Sequence, residues 1–417
     1  MRTLDQWKSR LTAVPSTIDC PEMRLLSNRD REPPILVGPG HIDIRSSTAI
    51  DFTMYGAPTD GGDAFRHLKR ARENLYEVID QLRLIATDYE GTEWACGWTR
   101  PELKGNPKFC WPLTGRLTSL VTQATGPFVS QDSGVELVFQ PKLDLPMNET
   151  MVSISTLDGE EIEHRRSPGQ QTVHVLDSEI KFFYKPSDES LWVTAKTSDK
   201  LKHPFAENWI GEPLRILLGQ LVFPRVVARN LGNGTAQVWL RPSPRRFRNS
   251  GIASLIGGAP FGSPGKFWGL YANLLKLVAE ARDEQGQPNF QPHRITRFYE
   301  EIAQATQGSR WVLCMTLASA GEGLAKMLMR PPPQEDKKKL RSRRGGITGY
   351  LLKLVERGAL QESNARAWSA VRNEVMHGNL VSPWATEQED KHILALADLV
   401  HRLTHELIGE HARMREQ

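Results

Sequence analysis

The chain has 417 residues, 39% of them hydrophobic and 24% charged, a globular composition in a chain too long for one ordinary domain. Its formal net charge of +4 is small for this length, which excludes a strongly basic nucleic-acid-binding chain and leaves any RNA contact to local patches. The four scattered cysteines favour a reducing compartment, and no apolar run approaches about 18 residues, so we expect a cytoplasmic protein without membrane contact.

Short segments of alternating hydrophobicity predict strands between about residue 33 and residue 200. The clearest of these segments are 41–45, 135–139, 151–155, 172–176, 180–184 and 190–194. Many short strands separated by glycine- and proline-rich turns are typical of a sandwich or an open barrel. Apolar residues at helical spacing predict one helical insert in this region, over residues 64–85.

The spacing of apolar residues changes after Pro204, and from about residue 290 onward it mainly predicts helices. Amphipathic segments with short connections predict a bundle of four or five antiparallel helices. We therefore predict an α+β multidomain protein. A β-rich N-terminal domain with a sensor or regulatory role would occupy residues 1–260, and an all-α helical bundle with the catalytic role would occupy residues 261–417.

A segment near the C-terminus carries the most informative side chains of the chain. Arg372 and His377 are separated by four residues; Asn373 follows the arginine, Trp368 precedes it by four residues, and Gly378 closes the segment. A guanidinium can hold a scissile phosphate, and an imidazole can move protons between a 2′-hydroxyl and a leaving oxygen. The pair can therefore cut RNA without a metal. A surface arginine and histidine on a helix shoulder is the alternative interpretation.

The relative orientation of Arg372 and His377 depends on where their helix ends. Residues five apart on an ideal helix differ by about 140° in direction, so the two side chains would face different ways if both were regularly helical. Gly378 predicts that the helix ends at or just after His377, since glycine is common in the left-handed position that follows a helix. Glu322 lies among small residues of another predicted helix and can orient Arg372 or His377; a solvated glutamate is the alternative.

The strongest basic patch follows three consecutive prolines in a predicted loop between helices. This loop can track an RNA backbone, although a charge run is equally typical of a solvated flexible segment. A second, shorter patch covers residues 244–248. The predicted RNA-binding residues of the loop are Lys337, Lys338, Lys339, Arg341, Arg343 and Arg344.

Two patterns suggest a metal site, and neither is complete. His401 and His405 have the spacing of two ligands on one helix, but the segment lacks the glutamate of a zinc protease and a third ligand. Glu179 and Lys181, with Asp158 upstream, resemble part of a metal-dependent nuclease core, which requires helices around its strands. We therefore predict a protein that needs no metal and no cofactor.

The segment from Trp368 to Gly378 resembles the RNxxxH motif of HEPN domains, small helical modules that in many cases are metal-independent RNases. Residues 38–44, 50–52 and 85–91 are similar, more loosely, to the opening strands of the ApeA-type anti-phage proteins. In those proteins a β-rich domain precedes an Apea-like HEPN domain. The resemblance implies that Arg372 and His377 are catalytic and that Asn373 belongs to the motif.

The same resemblance implies how such a protein works. The motif copies of two protomers meet at the interface of a homodimer formed by the helical domains. The enzyme cleaves RNA, with tRNA as one candidate, by 2′-hydroxyl attack when a phage-derived activator is sensed in an abortive-infection response. Many HEPN-like bundles, however, only bind RNA, nucleotides or a partner, and a non-catalytic module of this kind is the alternative function.

Overall fold

The computed structural model divides into two compact units, residues 1–207 with 223–245, and residues 208–222 with 246–417. The first unit is β-rich and the second is helical, which confirms the predicted mixed α+β class. The predicted boundary at residue 260 differs from this division, since residues 208–222 and 246–260 belong with the helical unit. The structure describes residues 3–28, 32–59, 61–74, 77–105, 109–147, 151–155, 161–166, 169–184, 190–244, 251–257, 264–329 and 346–416.

The β-rich unit contains sixteen strands within the described ranges. Fourteen pair in one antiparallel sheet, in the order β12-β13-β14-β9-β15-β16-β8-β5-β4-β1-β2-β3-β7-β6, and β10 pairs with β11. Each of the six predicted segments coincides with a strand, except that residues 176 and 190 lie just outside β12 and β14. The strands are β1 (Ser16–Ser27), β2 (Leu36–Ser46), β3 (Ala49–Pro58), β4 (Leu82–Thr87), β5 (Glu93–Thr99), β6 (Glu102–Leu103), β7 (Trp111–Arg116), β8 (Leu120–Thr125), β9 (Ser133–Phe139), β10 (Met151–Ser155), β11 (Glu161–Arg166), β12 (Gln170–Val175), β13 (Ser178–Tyr184), β14 (Leu191–Lys196), β15 (Val226–Gly232) and β16 (Thr235–Leu240).

The predicted helical insert over 64–85 was wrong in its second half. Helix α2 covers Gly61–Glu73, a 3-10 turn follows at Val78–Asp80, and β4 begins at Leu82. The apolar residues of β4 alternate between buried and less buried positions, which suits a strand, and Leu84 pairs with Leu25 of β1. The helical spacing of Val78 and Leu82 was therefore coincidental.

Helix α1 (Thr3–Thr12) is fastened to the sheet by a buried carboxylate. Glu136 of β9 is 1% exposed, and its oxygens accept hydrogen bonds from the backbone N–H groups of Thr3 and Leu4, at 3.2 and 3.0 Å. The amide of Asn230 donates to the same carboxylate at 3.1 Å. A carboxylate at a helix N-terminus is stabilised by the free N–H groups and the helix dipole, so Glu136 is a structural residue of the core.

Within the described residues, six helices of the helical unit follow residue 260, and α3 contributes its residues from Asn208 onward. Helix α6 (Arg310–Leu328), the third of these six, packs against α5, α7, α8 and α9. None of the described helices combines the length and the apolar character needed to span a bilayer. The helices are α3 (Ala206–Leu218), α4 (Pro264–Glu280), α5 (Arg294–Ala305), α6 (Arg310–Leu328), α7 (Gly346–Glu356), α8 (Glu362–Met376) and α9 (Thr386–Glu416).

Small residues allow the close packing of α6. A Cβ atom on Gly321 would lie 3.1 Å from Cδ2 of Leu399 in α9, and one on Gly323 would collide with the ring of Phe298 in α5. The small side chains around Glu322 therefore do let neighbouring helices approach. Glu322 is therefore carried by a closely packed helix, which contacts α5, α7, α8 and α9.

Candidate functional site

The end of helix α8 determines where His377 lies. The N–H of Gly378 donates to the carbonyl of Val375 at 3.0 Å, and the N–H of Asn379 donates to the carbonyl of Glu374 at 3.2 Å. Gly378 has a φ of +75°, so these bonds form the Schellman motif that closes many helices. His377 is the last residue before this turn, and its side chain is exposed to solvent.

Arg372 is held between a ring and a carboxylate. Its guanidinium carbon lies 5.5 Å from the ring centroid of Trp368, one turn earlier on α8, and its Nε lies 3.5 Å from Oε2 of Glu322 on α6. Trp368 is 2% exposed, and its indole N–H donates to the carbonyl of Ala318 at 3.1 Å. A fixed ring beneath a guanidinium limits its freedom. The arginine side chain is nevertheless 42% exposed, so it can still meet a ligand.

Glu322 connects two cations at this surface. Its Oε1 binds Nζ of Lys326 at 2.6 Å, and its Oε2 faces Arg372. Of the two residues that Glu322 was expected to orient, the structure brings it to Arg372. In the described part of the chain, no hydrogen bond or ion pair joins Glu322 to His377.

The motif residues do not form a compact constellation within one chain. The side chains of Asn373 and His377 are exposed, and within the described ranges neither forms a side-chain hydrogen bond with Arg372. Asn373 contributes its backbone carbonyl, which accepts the N–H of His377 at 3.1 Å. The spacing of five residues explains the separation, because it rotates one side chain by about 140° from the other.

An exposed apolar surface, which the sequence patterns did not predict, adjoins His377. We call it the apolar rim; its residues are Val375, Met376, Leu380 and Val381, with 40%, 70%, 88% and 79% of their surface exposed. The loop that carries the rim is anchored, since the indole N–H of Trp311 donates to the carbonyl of Asn379 at 3.3 Å. The sequence signal was the apolar pair Leu380–Val381 directly after the helix end.

The remaining candidate residues either lie outside the described residues or have partners elsewhere in the structure. The six cations of the basic loop and residues 245–248 of the second patch lie outside the described residues. His401 is bonded through Nδ1 to the hydroxyl of Tyr299 at 3.0 Å, and Glu179 forms an exposed ion pair with Lys181. Within the described ranges, no group of three or more potential ligand side chains could hold a metal ion.

Comparisons with other proteins give no assignment for this chain. No family model matches it, and neither the curated proteins nor the solved structures contain a significant match. The resemblance between Trp368–Gly378 and the HEPN motif therefore stays a prediction. The chemistry of the site has to follow from the placement of Arg372, Glu322 and His377.

Proposed function

We propose that this protein is a metal-independent endoribonuclease of the HEPN type, acting in a bacterial anti-phage defence system. One observation carries the proposal. A guanidinium that is held by Glu322 and Trp368, yet remains accessible, stands on the same helix end as the exposed imidazole of His377. Arginine and histidine are the two groups that this reaction needs.

Arg372 would bind the scissile phosphate. The ion pair with Glu322 is made at Nε, and the two terminal nitrogens form no hydrogen bond with a described residue, so they can donate to two phosphate oxygens. The negative charge that develops on the phosphorus oxygens during attack strengthens this interaction. The guanidinium therefore stabilises the transition state more than the bound substrate.

His377 would carry the protons. An imidazole removes the proton of the 2′-hydroxyl while its oxygen attacks the adjacent phosphorus, and the bond between phosphorus and the 5′-oxygen breaks. A second imidazole donates a proton to that leaving oxygen. The products are a 2′,3′-cyclic phosphate and a 5′-hydroxyl end, and the reaction requires no metal or cofactor.

A second copy of the chain would supply the second imidazole. The apolar rim borders His377, and exposed apolar surface next to polar site residues is typical of an interface. An isologous dimer through the helical units would cover two rims at once and bring both His377 side chains near the symmetry axis. The proposed homodimer therefore uses the apolar rim, the surface that borders the proposed catalytic residue His377.

The remaining assignments extend this proposal. The substrate is RNA, with tRNA as one candidate, and the cations of the basic loop, Lys337 to Arg344, bind its backbone. The β-rich unit regulates the enzyme by responding to a phage-derived activator. Because its substrate is cellular RNA, we place the protein in the cytoplasm.

A non-catalytic RNA- or partner-binding module is the second candidate function. The ion pair of Arg372 with Glu322 favours this candidate, because a surface ion pair needs no catalytic role to explain it. Retained RNA binding without cleavage, in the presence of lysates from phage-infected cells, would support this candidate.

The test is RNA cleavage in the presence of EDTA, together with sequencing of RNA ends from infected cells. We expect R372A and H377A to abolish the cleavage that wild-type protein shows. Arg366 lies on the same helix, is exposed and pairs with Glu362 at 2.5 Å, so R366A is the matched control and stays active. Cleavage by H377A, or a strict need for a divalent ion, contradicts the proposal.

A further inference from the structure

A cavity of about 580 Å³ opens in the helical unit at the start of α5. Its wall comes from α3, the end of α4, the 281–293 connection, the first turn of α5 and Met327 of α6. This volume lies within the range of about 300–1,000 Å³ that is typical of small-molecule sites. The motif residues of α8 do not line the cavity, so it is separate from the proposed RNase site.

Three arginines line this cavity, and Arg297 also interacts electrostatically with Glu300 of its own helix. Nη1 of Arg282 donates to two backbone carbonyls at the end of α4, both at 2.9 Å, and Nη2 of Arg297 donates to Oε1 of Gln291 at 2.7 Å. Arg294 forms no side-chain hydrogen bond with any described residue. None of the three makes an ion pair with a described carboxylate. Their positive charge is therefore available to an anionic ligand.

The placement of Arg294 and Arg297 adds a second attraction for anions. Arg294 is the first residue of α5 and Arg297 lies one turn later, so the two side chains share one side of the helix. The helix dipole places partial positive charge at this end. Phosphate groups commonly bind where a helix N-terminus and arginine side chains converge.

Glu212 supplies a buried acceptor to the same cavity. It is 2% exposed, and its Oε2 accepts from the N–H of His293 at 2.8 Å and from the hydroxyl of Thr296 at 2.5 Å. Its Oε1 has no hydrogen-bond donor among the described residues, although Glu212 lines the cavity. Because Oε1 accepts no hydrogen bond from the described residues and Glu212 lines the cavity, a ligand N–H that enters the cavity can bind this oxygen.

The rest of the wall suits a ligand that is partly apolar. Trp209, Val278 and Met327 contribute apolar surface. Two further carboxylates, Asp283 and Glu284, line the cavity; Oδ1 of Asp283 is occupied by backbone N–H groups of its own loop. The wall therefore carries both signs of charge, which favours a ligand with an anionic end and a hydrogen-bond-donating end.

We infer that this cavity binds a phosphorylated metabolite of mononucleotide size. Its phosphate lies on Arg294 and Arg297 at the N-terminus of α5, and an N–H donor of its head group binds Oε1 of Glu212. Arg282 completes the cationic side, and Trp209 packs against the apolar part of the ligand. The inference does not depend on RNA cleavage.

Isothermal titration calorimetry of the 417-residue chain tests this inference. The probes are AMP, GMP, CMP and UMP, and ribose 5-phosphate is the ligand without a base. We expect at least one amino-bearing nucleotide to bind about tenfold more tightly than ribose 5-phosphate. R294A/R297A should weaken both ligands tenfold or more. E212Q should remove only the preference for the nucleotide.

The controls separate this site from other charged surfaces. Arg310 and Arg366 are exposed arginines of the same unit that pair with carboxylates, so R310A/R366A makes the same charge change and should bind normally. H377A should also bind normally. Ribose 5-phosphate binding as tightly as every nucleotide, full binding by R294A/R297A, or no binding of any probe would overturn the inference. Because Arg294 and Arg297 are exposed, their variant keeps the test valid even if E212Q is unstable.

Discussion

Oε2 of Glu322 on α6 lies 3.5 Å from Nε of Arg372 on α8. This relationship joins two helices that are separated in the chain and fixes one edge of the guanidinium. The other carboxylate oxygen binds Lys326 at 2.6 Å, so Glu322 is itself held in place. We therefore expect Glu322 to position Arg372 in the proposed reaction, and this effect can be measured.

E322Q should lower the kcat of RNA cleavage about tenfold and leave KM nearly unchanged, because a mispositioned phosphate ligand costs rate more than binding. The thermal midpoint should stay close to that of wild type, since Glu322 is partly exposed. K326A removes the other partner of the carboxylate without touching Arg372, and should keep most of the activity. Full activity of E322Q would exclude a positioning role.

Gly378 should tolerate asparagine better than alanine. Its φ of +75° is unfavourable for alanine by about 1 kcal/mol, whereas asparagine adopts this region more readily. No atom lies within 4 Å of a Cβ built at this position, so the cost is one of backbone conformation alone. Amide hydrogen exchange at the end of α8 should be faster in G378A than in G378N, and cleavage slower. Equal behaviour of the two variants would contradict this prediction.

The apolar rim should mediate self-association. M376D and L380D each place a charge where the proposed dimer buries an apolar side chain worth about 1.5–3 kcal/mol, so the dimer dissociation constant should rise tenfold or more. Sedimentation velocity measures this change, and cleavage should fall with the dimer fraction. Leu394 of α9 is 64% exposed and lies outside the rim, so L394D is the matched control. A strictly monomeric wild-type protein with full activity would contradict the prediction.

Acid should destabilise the helical unit through buried histidines. Burial lowers the pKa of His401 and of His293 to about 4, from an ordinary value of 6.5. Between these values the unfolded chain binds protons that the folded chain does not. The stability contributed by the neutral imidazoles is therefore complete above pH 6.5 and is lost as pH falls toward 4.

Urea unfolding at pH 7.5 and pH 5 measures this loss, and H401Q should lose less stability than wild type on acidification. Glutamine keeps a polar partner for the hydroxyl of Tyr299, which bonds to Nδ1 of His401 at 3.0 Å. Glu212, whose pKa burial raises, contributes in the opposite direction, so the comparison with the variant isolates His401. An identical pH dependence in H401Q would show that this histidine does not contribute.

Local patterns predicted much of the secondary structure. Strand β13 was predicted because its residues alternate between buried and exposed positions, and such alternation depends on one strand at a time. The helical insert was overextended because Val78 and Leu82 satisfy a helical period by chance. Pairing of β4 with β1, which is not local, decided the outcome.

By itself, the sequence determined the division into a β-rich part and a helical part, the Arg372–His377 motif and the helix end at Gly378. These properties depend on residues within a few turns of one another, where spacing and backbone preference act directly. Only the tertiary structure decided that Glu322 pairs with Arg372, that the rim is exposed, and that three arginines surround a cavity beside Glu212. Such relationships join residues distant in the chain, and their contacts arise from helix packing, which no local pattern encodes.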